Sequence, residues 1–464
     1  MSALGSADTI FGHDSREGRV PTLSNWSGTV HTKPAVIATP ATVDEVVAIL
    51  VDAQRYPSPV RAVGHFFSTT DCAAADGGTA LDMSGLRRIV EIGDDHVRVE
   101  AGATYKDVAE ALAARGKAFF VHLQVGNATL GSIATCATKD GSFPGEHGQA
   151  GAYVTRIKWV TAAGEIRESD ERDAELFAAL RSSYGLLGVV VEVTVRIRPL
   201  EPISIRHVNY TTEGFLAALP ELRRRNGSLS FYLFPFADRV TAQIRGPAED
   251  ARLNRWLWPL RNFAVAHVVP LASRCAMLVP VRAFAYGLIA AFGASARWFL
   301  AHALSAGRTL PHDQITRYAH RPKLARFTFS IFAFPENRYA QVLREYRRFC
   351  ADHHAEHGYR PDLLTIGYRV AQSRHSLLSY SWDGDVITID PVALGGPEWD
   401  LFADRFNEFS IARGGKPLMN QTPRLTAEQV RAAFAGRVER FNELRRALDP
   451  GERLLNEQLR RLLG

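Results

Sequence analysis

Gly126-Asn127-Ala128-Thr129-Leu130-Gly131-Ser132-Ile133-Ala134-Thr135-Cys136-Ala137-Thr138-Lys139-Asp140-Gly141-Ser142 is a run of small and hydroxylated side chains in a chain otherwise rich in bulky apolar ones. Small residues let a ligand approach the backbone, and Gly126, Gly131 and Gly141 permit backbone conformations closed to other residues. Asn127, Thr129, Ser132, Thr135 and Thr138 supply short hydrogen-bonding groups, so the stretch suits a flat, polar ligand. Taken alone, it equally describes a loop leading into a short buried helix.

The surroundings narrow the choice. Upstream, Val60-Arg61-Ala62-Val63-Gly64 is a buried strand closed by glycine, followed by the turn His65-Phe66-Phe67-Ser68-Thr69-Thr70-Asp71. Before it, Ala35 to Thr39 is a short apolar strand, and Thr42 with Glu45 forms a capping box that opens a helix running to about Gln54. Leu81 to Met83 and Val97 to Glu100 read as strands, and Thr104 to Gly116 as a helix stopped by glycine. Downstream, 154–161 alternates as a strand with one face buried. A helix is expected at 173–180 and a long strand at 188–197. The first 200 residues therefore mix strands and helices, which makes the fold class α+β.

From Ile203 the character changes. Strands are expected at 228–234, 239–244, 327–334 and 385–390, with a helix at 337–353 and a second capping box at Thr426 to Gln429. The resulting division is 20–202, 203–404 as a substrate or cap domain with a helix-covered sheet, and 405–464 returning to the first domain. The apolar region 256–304 is interrupted by Arg261, Arg274, Arg282, Arg297 and three prolines, so no stretch of about 18 uncharged apolar residues forms. It reads as amphipathic helices covering a hydrophobic pocket, with a membrane-surface or oligomer contact as the alternative and a membrane span excluded.

A chain of 464 residues is too long for one core, and 46% hydrophobic with 22% charged residues suits a folded enzyme. The net charge of +6 is scattered, which argues against a nucleic-acid partner and leaves an acidic ligand or membrane surface open. Cys72, Cys136, Cys275 and Cys350 form no CxxC pair, so neither a metal site nor a disulfide framework is expected and a reducing cytoplasm fits. Residues 1–24 are polar and expected to be loosely held, without the pattern of a signal peptide.

Four pieces stand in order: Arg61 to Asp71, Gly126 to Ser142, the strand after it, and Leu187-Gly188-Val189-Val190. None resembles a GxGxxG turn. Together they resemble the PCMH-type FAD-binding domain of the vanillyl-alcohol-oxidase family, in its aldonolactone and alditol oxidase branch. Arg61 to Ser68 matches that family's pyrophosphate loop, a nest of backbone amides. Thr129-Leu130-Gly131-Ser132 resembles its Thr-Val-Gly-Gly, Lys139 to Ser142 stands in place of His-Gly-x-Gly, and Leu448 to Leu462 resembles the C-terminal signature. The resemblance implies FAD contacts from Val63, Gly64, His65, Phe66, Phe67, Ser68, Gly126, Asn127, Thr129, Gly131, Ser132, Thr135, Thr138, Asp140, Gly141, Ser142, Val189, Val190 and Asn456.

The departures carry expectations of their own. Phe67 replaces the histidine that links the flavin in relatives, so the cofactor is expected to be non-covalent, with His65 a conceivable shifted attachment point and Cys136 a buried small hydrophobe. Glu-x-Arg of the relatives becomes Gly367-Tyr368-Arg369, and His-Trp-Gly-Lys becomes Arg413-Gly414-Gly415-Lys416. Hydride transfer to flavin needs a path for the hydroxyl proton. Tyr368 and Lys416 are candidates for that role, with Arg369, Asn420 and Gln421 orienting substrate or flavin. Thr138 falls where bulk affects oxygen access, leaving oxidase and dehydrogenase both open. The implied reaction is oxidation of a CH–OH group, and the missing glutamate suggests a fairly hydrophobic or secondary-metabolite substrate. The alternative is a flavoprotein scaffold without redox chemistry, acting as a cyclase, isomerase or binding protein.

Overall fold

The computed structural model describes residues 22–225, 227–247, 255–305, 307–318, 327–361 and 363–464. The expectation of a loosely held N-terminus falls largely on 1–21, outside the described residues.

Among the described residues the architecture is α+β. Val36–Ala38, Thr79–Asp82 and Val60–Val63 form a small parallel sheet with Thr79–Asp82 in the centre. The helix Val43–Val51 packs beside it through Val46, Ile49 and Leu50. Thr42 Oγ1 accepts from the Glu45 amide at 3.2 Å, while the Glu45 carboxylate accepts from Ala41 N at 2.7 Å. The box thus closes one residue earlier than the sequence suggests. A second, antiparallel sheet is built on the 11-residue strand Val189–Pro199, flanked by Val154–Val160 and His96–Glu100. Alternation along Val189–Pro199 buries its valines and Ile197 in the core while Arg196 faces solvent.

The third sheet is antiparallel and runs Arg308–Thr309, Ile203–Tyr210, Arg239–Pro247, Ser228–Phe234, Thr365–Val370, Val386–Ala393, Phe332–Pro335 and Lys416–Pro417, with Thr328–Phe329 also on Val386–Ala393. The single strand expected at 327–334 is interrupted: Thr328 pairs with Ala393 and Phe332 with Ile389 in one register, and between them the Ile331 carbonyl accepts from Thr422 Oγ1 at 2.7 Å. Helices Tyr339–His357 and Pro397–Ile411 cover one face through Tyr339, Tyr346, Phe402 and Phe406, all fully buried. The C-terminal segment ties back to the first sheet: Arg453 donates to Ile49 O and Leu50 O at 3.0 Å each, where a helix end leaves its carbonyls unpaired.

Region 256–304 is helical, as Leu257–Phe263, Val269–Met277 and Arg282–Phe299 with wide turns at Ala264–Val268 and Leu300–Leu304. Its inner side packs on Ile203 and Ile205 and, through Ala266, against Trp26 and Tyr318. The expectation that it covers the substrate pocket needs correcting. None of its residues lines the central cavity, because Gln124, Val125 and Phe67 stand between.

Candidate active site

The cavity lies where all three sheets converge. The turn after Val60–Val63 brings Gly64, His65, Phe66, Phe67 and Ser68 to its wall. Phe66 adopts a left-handed backbone, φ 43°, and is buried, so packing holds a conformation that phenylalanine disfavours. The turn is fixed from both ends: Trp26 N donates to Phe66 O at 3.0 Å and Asn25 Nδ2 to Ser68 O at 2.9 Å. Opposite stands the opening stretch, from which Asn127, Ala128, Thr129, Gly131, Ser132, Ile133, Thr135, Cys136, Ala137, Thr138 and Lys139 line the cavity. The two loops touch so closely that a Cβ on Gly64 would stand 2.5 Å from Thr129 Oγ1. Gly185, Gly188 and Val190 complete this side, and Phe329, Ile331, Tyr368, Leu418, Asn420 and Gln421 form the other.

No carboxylate lines this cavity among the described residues, whereas Arg61, His65 and Lys139 do. Asn420 Oδ1 is buried with no hydrogen-bond partner among the described groups. Backbone amides, small side chains, positive charge and an unsatisfied polar atom are what a long, flat, dianionic ligand such as FAD requires. Burial pushes the Cys136 thiol up to about 12, with Cys72 adding to the shift, so it is protonated at neutral pH and unreactive as a nucleophile.

Several expected residues lie elsewhere. Val63 points into a small apolar core with Phe66 and Ala80, and Val189 into the main core. Gly126 is backed by Ile315 and Thr316, holding open the turn before Asn127, whose side chain clasps the Tyr318 backbone at 2.7 and 2.9 Å. Asp140, Gly141 and Ser142 run away from the cavity and dock on the large sheet. Asp140 pairs with the fully buried Arg245 at 2.6 Å, a Cβ on Gly141 would meet Leu229 O at 2.8 Å, and Ser142 Oγ accepts from Ala371 N at 2.8 Å. Asn456 caps the last helix and donates to Asp71 O at 2.8 Å and Ala74 O at 2.9 Å, so it shapes the first loop from behind.

Arg369 and Lys416 also stand outside. In Thr365–Val370, Tyr368 faces the cavity, so Gly367 and Arg369 face the helices. Arg369 there pairs with Glu336 at 2.8 Å and Asp385 at 2.7 Å. A Cβ on Gly367 would lie 2.0 Å from the Phe231 ring, which is why no glutamate fits at that position. Lys416 sits on an edge strand and pairs with Asp383 at the surface.

The residue that sequence reasoning passed over is Lys139. Its ammonium, 13% exposed, pairs with Asp390 at 2.8 Å and lies 4.4 Å from the centre of the Tyr368 ring. Asp390 is 2% exposed, and burial raises its carboxyl despite the opposing Lys139 charge. Burial likewise holds the Tyr368 phenol well above its usual range, so it is a neutral donor. A lysine in place of the family histidine, followed by a strand with an inward aspartate, was the available signal. Thr138 is pinned, its Oγ1 accepting from Ala150 N at 3.0 Å and its carbonyl from Tyr380 at 2.7 Å.

Comparison with known proteins agrees with this geometry. Residues 34–170 match the FAD binding domain family and 193–462 the D-arabinono-1,4-lactone oxidase family. The chain is 24% identical over 458 residues to the L-gulono-1,4-lactone dehydrogenase of Mycobacterium tuberculosis (strain ATCC 25618 / H37Rv), covering 96% of this chain and 99% of that one. It is 23% identical over 455 residues to the L-gulonolactone oxidase of Bos taurus, covering 95% and 98%. It is 30% identical over 245 residues to the D-arabinono-1,4-lactone oxidase of Eremothecium gossypii, covering 50% and 46%. In fold it is similar to a solvent-stable cholesterol oxidase, with a TM-score of 0.74 at 17% identity, covering 95% and 97%. The cavity between two small-residue loops and a helix-covered sheet is thus that of an FAD-dependent oxidase or dehydrogenase, and the chain belongs to the D-arabinono-1,4-lactone oxidase family.

Proposed function

We propose that the protein oxidises a CH–OH group of a small aldonolactone-type substrate, with FAD held non-covalently. The observation that carries this reading is the Lys139–Asp390 pair beside Tyr368, the one buried ion pair among the described residues that opens on the cavity wall. Bound FAD supplies the hydride acceptor. The loops Gly64 to Ser68 and Asn127 to Ser132 would hold it through backbone amides and short hydroxyls. Tyr368, Asn420 and Gln421 would orient the substrate oxygens. The substrate hydroxyl proton would pass to the Lys139–Asp390 pair, where burial raises the Asp390 carboxyl and so favours it as the resting place of that proton. The pair then carries one extra positive charge as the substrate's hydride leaves, so charge stays balanced within the site. Phe67 in place of a linking histidine, and the protonated Cys136, support non-covalent attachment.

The apolar wall of Phe329, Ile331 and Leu418 keeps a more hydrophobic alcohol as a second reading, although the relatives' names weigh for a lactone. Buried free Cys72 and Cys350 support placement in a reducing cytoplasm. The test is anaerobic bleaching of the flavin by aldono-1,4-lactones and by hydrophobic secondary alcohols. Bleaching by lactones supports the proposal, and bleaching by the alcohols alone replaces it with the second reading. Acid precipitation should leave flavin in the supernatant, and a yellow pellet would overturn non-covalent binding.

A further inference from the structure

Gln124 stands two residues before the small-residue stretch, and its half-buried side chain lines the cavity. The backbone there is fixed: the Gln124 carbonyl accepts from Thr316 N at 2.8 Å, and Val125 bridges Thr316 in parallel. The side-chain Oε1 accepts from Arg261 Nη2 at 2.7 Å. An arginine only donates, so this contact orients the amide, with its oxygen toward Arg261. Nε2 is left without a partner among the described residues, an unpaired donor on a residue of the cavity wall.

Arg261 comes from the helix Leu257–Phe263, which does not itself reach the cavity. It is 8% exposed, and its partners among the described residues are neutral. Nη1 donates to Asn262 Oδ1 at 3.1 Å and Thr316 Oγ1 at 3.4 Å, and Nη2 also reaches Tyr232 OH at 3.5 Å. Burying a guanidinium without a carboxylate is costly, and what this one achieves is a fixed Gln124 amide. Tyr232 places that amide in the site. In the large sheet Tyr232 pairs with Ile366 and Ser230 with Tyr368, so the two tyrosines are diagonal neighbours on one face. Gln124, joined to Tyr232 through Arg261, therefore stands on the same side of the cavity as Tyr368.

We propose that Gln124 determines specificity by donating its amide N–H to the lactone carbonyl of the substrate, with Arg261 as its positioning residue, an inference that rests on the lactone reading of the site. The reacting hydroxyl must surrender a proton, a task that falls to the Lys139–Asp390 pair. An amide N–H takes up no proton at neutral pH. It is complementary to a group that only accepts, and in an aldono-1,4-lactone that group is the carbonyl. A cyclic polyol of the same size lacks this acceptor, so Gln124 favours the lactone over it.

Anaerobic flavin reduction of the holoprotein is followed with L-gulono-1,4-lactone and D-arabinono-1,4-lactone, and the corresponding 1,4-anhydroalditols, which lack the carbonyl, are added as competing ligands. Gln124→Leu should raise half-saturation by the lactone about tenfold, the loss of one hydrogen bond. The limiting rate, the competition constant of the anhydroalditol, FAD affinity by fluorescence titration and the thermal midpoint should stay near wild type. Arg261→Met should raise half-saturation in the same way with a lower midpoint, and should add nothing to it in the Gln124→Leu background. Arg261→Lys, which still donates to Gln124 Oε1, should restore most of the lactone affinity. An unchanged half-saturation in Gln124→Leu overturns the inference, as does an equal loss for lactone and anhydroalditol. A loss of FAD affinity instead would assign the amide to the cofactor and overturn it too. Arg261→Met that lowers only the midpoint removes the positioning role. Wild-type flavin that neither lactone reduces would refute the lactone reading together with this one, whereas the other failures refute this one alone.

Discussion

Replacing Lys139 by methionine keeps the length of the side chain and removes its charge, leaving Asp390 2% exposed and without its counter-ion. Breaking one side of a buried ion pair costs about 3–5 kcal/mol, and loss of a proton acceptor in the reacting step costs about 10²–10⁴ in rate. Asp390→Asn alone removes the buried negative charge but leaves an ammonium facing the cavity. The double variant Lys139→Met/Asp390→Asn removes both charges, so it should recover much of the stability yet none of the rate. The pH dependence has a definite sign. The Asp390 carboxyl is raised in the folded state above its unfolded value, so the folded protein binds the extra proton. Its destabilisation is therefore fully present above the folded pKa and fades as pH falls toward the unfolded one. Lys139→Met removes the charge that opposes this shift, so its deficit in thermal midpoint should narrow on acidification. The assays are stopped-flow anaerobic flavin reduction and thermal midpoints at fixed protein and FAD concentration across pH. A Lys139→Met enzyme that reduces its flavin at the wild-type rate would refute the role of the pair in proton transfer. A deficit that does not change with pH would refute the account of Asp390.

Other perturbations test the placement of the remaining residues. Gly64→Ala pushes a methyl to 2.5 Å from Thr129 Oγ1 and should weaken FAD binding by about tenfold or more, measured by fluorescence titration, with partial recovery in Gly64→Ala/Thr129→Ala. Arg369→Ala should leave the flavin-reduction rate within about twofold while lowering the thermal midpoint, since Glu336, 6% exposed, loses one of its two arginine partners. A rate loss at an unchanged midpoint would return Arg369 to the site. Restoring the family glutamate by Gly367→Glu should cost about 3 kcal/mol or more and lower soluble yield, because the Phe231 ring occupies its space. A stable, more active variant would show that the strand face has been misassigned.

Much of the fold was legible because its signals are local. Period-two alternation marked Val154–Val160, a long apolar run marked Val189–Pro199, and capping boxes at Thr42 and Thr426 marked helix starts. The order of small-residue loops likewise pointed to the FAD-binding domain, because close backbone approach demands small residues wherever the loops later fold. Which face of Thr365–Val370 lines the cavity was not legible. That strand is covered by helices on one side and by the cavity on the other, so hydrophobicity does not distinguish its faces, and a slip of one residue exchanges Arg369 for Tyr368. The pairing of Lys139 with Asp390 joins a loop of one sheet system to a strand of another, a contact made only when the two dock. The same holds for 256–304: its composition announced amphipathic helices, but only the packing of Leu257, Trp258 and Leu304 on Ile203 and Ile205, with Tyr286 turned inward, decided which side faces out. Sequence by itself determined the elements and the ligand-ready loops, which depend on near neighbours. Tertiary structure decided which side chains share a cavity, because that depends on strand parity and docking between residues far apart in the chain.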